Sequence, residues 1–314
     1  MVIVTLIATL AAGMVWQQWR AVQVEAAERA QVQAQWILNG ALDWARLILR
    51  EDGRSNNNGG TDNLSEPWAV PLSEARLSTF LSADGSASDD GPDAFLSGSI
   101  VDAQSRYNLR NLVQPGGKVN PEELKVLQRL CTQVALNPEW AGRIANALAA
   151  ALQGTTDAGG RSSNTATASD QQLLLPPSER QLSWFGLDPA MLAPLLPYVV
   201  LLPAPTPVNL NTAPKEVLAA VIAGIDLGTA ERIVQARQRQ PLRNADEDVR
   251  AIVGSQVTLA ADRLNVRTSY FEVTGTLRLD ALVVSQRSLV RRDNRDITVL
   301  RTERLRDIPT PLQQ

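Results

Sequence analysis

The apolar positions of this chain change period twice, and the first pattern is the longest. Met1–Trp16, "MVIVTLIATLAAGMVW", carries no charge, and the first ionisable side chain is Arg20. At about 1.5 Å per residue the nineteen uncharged residues before Arg20 reach roughly 28 Å, close to the hydrocarbon thickness of a bilayer, which predicts a membrane-spanning helix. Trp16 and Trp19 fall where interfacial aromatics belong, just before Arg20. A secretory signal peptide would need a basic region before the apolar run and a small-residue cleavage site after it, and the chain is instead expected to stay helical. The following stretch holds no proline, and Val22, Ala26, Ala30, Ile37, Ala41, Trp44 and Ile48 recur at three- and four-residue steps. One helix of roughly 50 residues, about 75 Å long, is predicted.

Three segments rich in Gly, Ser, Asn and Asp then read as loops: Asp52–Asn63, Ser82–Asp93 and Gly154–Asp170. "EPWAVPL" between the first two is expected to be extended, and "SGSIVDAQSRYNL" alternates like a strand. From Asn120 to Arg243 the period becomes helical, with helices expected near Pro121–Ala135, Pro138–Leu152, Pro189–Leu196, Pro214–Ala223 and Gly228–Gln238. "LNPEWAGRIANAL", "LDPAMLAPLLPY" and "IDLGTAERIVQAR" form a faint repeat that places Asn or Asp where a helix N-cap belongs. After Leu264 the period falls to two, and "SYFEVTGTLRL", "ALVVSQRSLVRR" and "DITVLRTERL" are strand candidates. The chain is therefore expected to be α+β, with residues 1–50 as the helix, 51–112 and 256–314 as flanking parts of a sheet domain, and 113–255 as a helical insertion.

Composition removes several functions. Histidine is absent, so no Ser-His or Cys-His nucleophile pair can form, and no carboxylate pair stands on a predicted rigid strand end. No catalytic residue is assigned. The single cysteine, Cys131, lies among Leu127, Leu130 and Val134 and reads as a small core residue. The net charge of -3 argues against a phosphate-binding surface over the whole chain.

"PVNLNTAPKEVL", Pro207–Leu218, opens a helix-hairpin-helix-like unit whose hairpin is "GIDLG", Gly224–Gly228. DNA-binding hairpins of this kind offer backbone N–H groups and a helix N-terminus to a phosphate. Here Asp226 stands in the way, and Pro207–Arg243 carries five cations against three anions, residues whose spacing suits mutual pairing on a solvated face. The hairpin is expected to be structural, with Asn209 or Thr212 capping the next helix and Asn211, Gly224, Asp226 and Gly228 completing it. No nucleic acid is expected; a membrane-tethered DNA-binding protein of the DNA-uptake type is the alternative. Asp84, Asp89, Asp90 and Asp93 could supply oxygen ligands for calcium, but the stretch lacks the glycine and terminal glutamate of an EF-hand and reads as a solvated acidic loop. No cofactor is expected beyond that calcium candidate.

With an apolar N-terminus continuing into one long helix, "EPWA", "DAQSRYNLRNL" at Asp102–Leu112, "LLPYVVLLPAPTPVNLNTAPKEVLAAVIAGI" and C-terminal strands, the chain resembles the type II secretion minor pseudopilin K family over nearly its whole length. The resemblance implies a pilin-like fold: a long N-terminal helix packed on an antiparallel sheet, with a large all-α domain inserted between strands. It implies a place at the tip of the periplasmic pseudopilus, initiating or capping its assembly, after insertion in the inner membrane. Its implied partners are minor pseudopilins I and J, then H, the major pseudopilin, secreted exoproteins and the outer-membrane secretin. With Met1 taken as the mature N-terminus, Thr5 stands where most pilin-like subunits carry a glutamate for the neighbouring amine, as suits a subunit with none above it. The basic leader cut by prepilin peptidase is expected to precede Met1. Some relatives bind calcium, but Asn146–Gln172 offers only Asp157 and Asp170 where those sequences carry an acidic loop.

Overall fold

A computed structural model describes residues 2–54, 60–77, 94–157, 174–254, 257, 259–260, 262–279, 282–293 and 296–305. Its chain forms two compact units, the first made of Met1–Asp52, Pro67–Val101 and Glu272–Gln314 and the second of Gly53–Glu66 and Asp102–Phe271.

The first unit is built on α1, Val2–Arg54, a single helix of 53 residues. Every described side chain from Val2 to Arg29 is exposed, and burial begins only with Ala34, Leu38, Ala45 and Leu49. These recur at four- and seven-residue steps, one narrow stripe of the helix. The stripe packs on a five-stranded sheet of order β1-β2-β7-β8-β9, in which β1 is Leu72–Arg76, β2 Ala94–Asp102, β7 Tyr270–Leu279, β8 Leu282–Asp293 and β9 Asp296–Leu305. β1 runs antiparallel to β2, and β8 antiparallel to β9 from Ser285↔Leu305 to Asp293↔Asp296. Ala34 and Leu38 meet Ala94 and Leu96 of β2 and Leu277 and Leu279 of β7. Close approach depends on glycine, because a Cβ at Gly275 would lie 3.3 Å from the Leu38 side chain. Polar ties fasten the same half of α1 to the β8–β9 hairpin: Arg304 to Gln35, Arg46 Nη2 to the Ile297 carbonyl at 2.8 Å, and a half-hidden ion pair of Arg292 with Asp52 at 2.7 Å.

"EPWAVPL" departs from the extended form expected for it. Pro67–Ala69 is a 3-10 turn that buries Trp68 and leaves Val70 68% exposed, whereas an extended strand would turn both to one face. The strand reading of "SGSIVDAQSRYNL" is interrupted at Asp102, whose carboxylate accepts the Gln104 N–H and starts a 3-10 turn at Ala103–Ser105, and resumes only at Tyr107–Asn108.

The second unit is helical, and its two-stranded pairs are short and parallel: β3, Tyr107–Asn108, with β4, Val199–Val200, and β5, Val208–Asn209, with β6, Leu264–Asn265. Its helices are α2, Pro121–Gln133; α3, Glu139–Asp157; α4, Pro189–Leu192; α5, Lys215–Val221; α6, Leu227–Arg239; and α7, Ala245–Val253. The repeat of Asn and Asp caps is real: Asn137 accepts the Glu139 N–H at 2.9 Å, Asp188 that of Ala190 at 2.9 Å and Asp226 that of Thr229 at 2.8 Å. Their apolar faces share one core around Leu127, Leu130, Ile144, Leu148, Val217 and Ile233. Cys131 lies in that core, fully buried, and loss of water pushes its thiol pKa to about 11. Helix α7 was not expected from the sequence; Asn244 caps it through the Asp246 and Glu247 N–H groups, and three acids occupy its first turn.

Candidate functional site

Two sequence motifs, Asp102–Leu112 and Pro207–Leu218, come together in the second unit as the halves of one buried polar seam. Asp102 is at its centre. One carboxylate oxygen accepts the Gln104 N–H at 2.7 Å, and the other accepts Asn209 Nδ2 at 2.8 Å and the Thr212 hydroxyl at 2.6 Å. Burial raises the Asp102 pKa above the ordinary carboxylate value, while donors from Thr212, Thr268, Asn209 and the Gln104 backbone pull against that rise. Asn209 Nδ2 also donates to the Asp62 carbonyl at 3.0 Å, and the Asp62 side chain accepts the Thr268 N–H at 2.7 Å. Gln104 spans the seam, donating to the Pro207 carbonyl at 3.0 Å and accepting the Ser269 N–H at 2.7 Å.

The asparagines of the two motifs act as substitute peptide groups. Asn211 exchanges a pair of bonds with the Leu242 backbone, donating to its carbonyl and accepting its N–H, both at 2.9 Å. Asn111 does the same with Thr206 at 2.9 and 3.0 Å, and Asn108 reaches the Leu202 N–H and the Ala204 carbonyl. Each amide satisfies loop groups that no ladder pairs. Tyr107 donates to Glu123 at 2.9 Å; burial, then the Glu123 charge, holds its phenol pKa well above 10.

Neither Asn209 nor Thr212 caps α5, contrary to expectation: the cap position is Pro214, and no side chain closes it. Both polar side chains are already committed to Asp102. Arg237, read from the sequence as part of a solvated face, is buried instead and donates to the carbonyls of Leu210 and Ala213 at 2.5 and 2.6 Å. Desolvation lowers its pKa to about 10. Of the remaining cations, Lys215 pairs with Glu231 at 3.2 Å.

The hairpin between α5 and α6 explains its own residues. Gly224 has φ +88°, a left-handed conformation that favours glycine, whereas a Cβ at Gly228 would make only ordinary contacts. The Asp226 carboxylate occupies the N-terminus of α6 itself, the place where a phosphate would bind, so the geometry lends the DNA-binding alternative no support. On α1 the Thr5 hydroxyl donates to the Val2 carbonyl at 2.7 Å. Trp16 and Trp19 are both exposed, and the Arg20 guanidinium lies 5.7 Å from the Trp16 ring centre. Met1, Asp84, Asp89, Asp90, Asp93 and Asp170 lie outside the described residues, as does the side chain of Asp157.

Family models described as type II secretion system (T2SS), protein K, match residues 105–204 and 208–267, the stretches that carry most of the seam. The type II secretion system protein K of Pseudomonas aeruginosa is 30% identical over 293 residues, which cover 89% of this chain and 82% of that protein. The chain belongs to the type II secretion system protein K family. A chain in the crystal structure of the GspK-GspI-GspJ complex from the enterotoxigenic Escherichia coli type 2 secretion system shares its fold, with a TM-score of 0.61 and 19% identity over 90% of this chain and 99% of that one. The protein is thus a minor pseudopilin with a pilin-like fold: the long helix on the sheet, and an inserted helical domain that the polar seam closes.

Proposed function

We propose that this minor pseudopilin is anchored in the inner membrane by the first part of α1, with the bulk of its chain in the periplasm, and assembles at the tip of the pseudopilus to initiate or cap it and support export of folded proteins. The observation that carries this reading is the exposed half of α1. Every described side chain of Val2–Arg29 is exposed, no acid precedes Glu25, and α1 is near its N-terminus apolar and long enough to cross a membrane. A helix of that character needs lipid or other helices around it. The hydroxyl of Thr5 is satisfied by its own helix and can enter an apolar bundle without a partner, where a carboxylate would demand one.

Minor pseudopilins I and J are the proposed partners, in line with the complex named for the structurally similar chain; H, the major pseudopilin, the secretin and exoproteins follow from the assembled position. Its role is structural, and the chain needs no catalytic group for it. Co-expression with minor pseudopilins I and J is expected to yield a ternary complex, and deletion of the chain is expected to strand exoproteins in the periplasm. Failure to co-purify with I and J, together with normal export in the deletion strain, would refute the proposal.

A further inference from the structure

The chain crosses between the two units at Asp52/Gly53, Glu66/Pro67, Val101/Asp102 and Phe271/Glu272. The three stretches of the second unit that adjoin these crossings all enter the same hydrogen-bonded cluster. Asp62 comes from Gly53–Glu66, Asp102 and Gln104 from the stretch after Val101, and Thr268 and Ser269 from the stretch before Glu272. Asn209 sits between them and gives one amide nitrogen to both the Asp62 carbonyl and the Asp102 carboxylate.

We infer that Asp102 and Asn209 form a clasp that ties the ends of the inserted unit to one another, so that this unit opens from its chain ends only when the Asp102 cluster breaks. The geometry supports cooperative opening, because the bonds of all three stretches converge on Asp102 and Asn209. Asp102 fixes the Gln104 backbone, the Gln104 side chain takes the Ser269 N–H, and Thr268 is held both by Asp62 and by its own bond to Asp102, while the Asp62 N–H adds a backbone bond to the Val266 carbonyl at 2.9 Å. The backbone N–H groups of Gln104, Asn211, Thr268 and Ser269 all end on side chains of this cluster and on no ladder partner. Local opening of such a contiguous set is read by amide exchange. The inference is independent of membrane anchoring and of the position in the pseudopilus, since it concerns the folded chain alone.

Hydrogen exchange with peptide resolution on the full chain tests it. Asp102→Ala removes the carboxylate that accepts from Asn209, Thr212 and the Gln104 N–H and is expected to speed exchange roughly ten- to hundredfold in peptides covering 60–66, 102–112, 207–213 and 264–271 together. Peptides of α2 and α6 should keep wild-type rates. Leu130→Ala, a cavity in the core of the same unit, should not reproduce that pattern. Should Asp102→Ala not fold, Thr212→Val removes one donor at nearly constant volume and is expected to show the same pattern more weakly. Acceleration confined to 102–105, or spread evenly over the second unit as in Leu130→Ala, would overturn the clasp.

Discussion

The Arg237 guanidinium lies 2.6 Å from the Ala213 carbonyl oxygen, and the same nitrogen also meets the Leu210 carbonyl. A cation of α6 thereby holds the loop that leads into α5 through main-chain carbonyls. Arg237→Met would keep the apolar stem and leave both carbonyls buried without a donor. A loss of about 2–4 kcal/mol is expected, measured as a lower denaturation midpoint. Arg237→Lys should recover only part of it, because the lysine ammonium falls short of the place where the longer, planar guanidinium holds Nη1 between the two oxygens.

Gly98 of β2 faces the β7 backbone so closely that a Cβ there would lie 2.8 Å from the Thr274 carbonyl oxygen. Backbone cannot step aside as a side chain can, so Gly98→Ala is expected to cost about 1–3 kcal/mol. Urea unfolding of the two proteins side by side reads the difference.

Cys131 is expected to resist alkylation at pH 8 in the native protein and to react freely in denaturant. Its thiol pKa is raised in the fold from 9.0 to about 11, so the folded state binds its proton more tightly than the unfolded chain does. That contribution to stability is complete below pH 9 and is lost as the pH rises through about 11. Replacing the thiol with alanine should remove this component of the alkaline stability profile.

The hairpin should not retain DNA at any salt concentration. Asp226→Asn keeps an N-cap and removes the charge, and it is expected to leave DNA retention absent on a heparin-calibrated column. Salt-sensitive retention in the wild type would contradict the self-capped geometry.

Features set by neighbouring residues were legible in the sequence. Helix α1, the three C-terminal strands and the Asn and Asp caps follow from period and local hydrogen bonding, and their observed limits lie within a few residues of those expected. The seam was not legible, because its bonds join residues about a hundred positions apart, such as Asp102 with Asn209 and Asp62 with Thr268. Its only sequence trace was the density of amides and carboxylates inside two otherwise apolar motifs. Arg237 was misread for a related reason: charge pattern suggests a wet surface, and only the fold shows carbonyls arranged to receive the guanidinium. Helix α7 is short, and the acids of its first turn resemble a loop until Asn244 is seen to cap it.

The segment Gly53–Glu66 belongs to the inserted unit although it precedes β1 in the chain. Asp62 is its fastening, through the Thr268 N–H and Asn209. A swap of the helical unit between relatives therefore cannot be made as one cassette cut at Val101 and Glu272. A transplanted cassette would arrive without the strand of chain that completes it, and working chimaeras should be those that carry both pieces from the same parent.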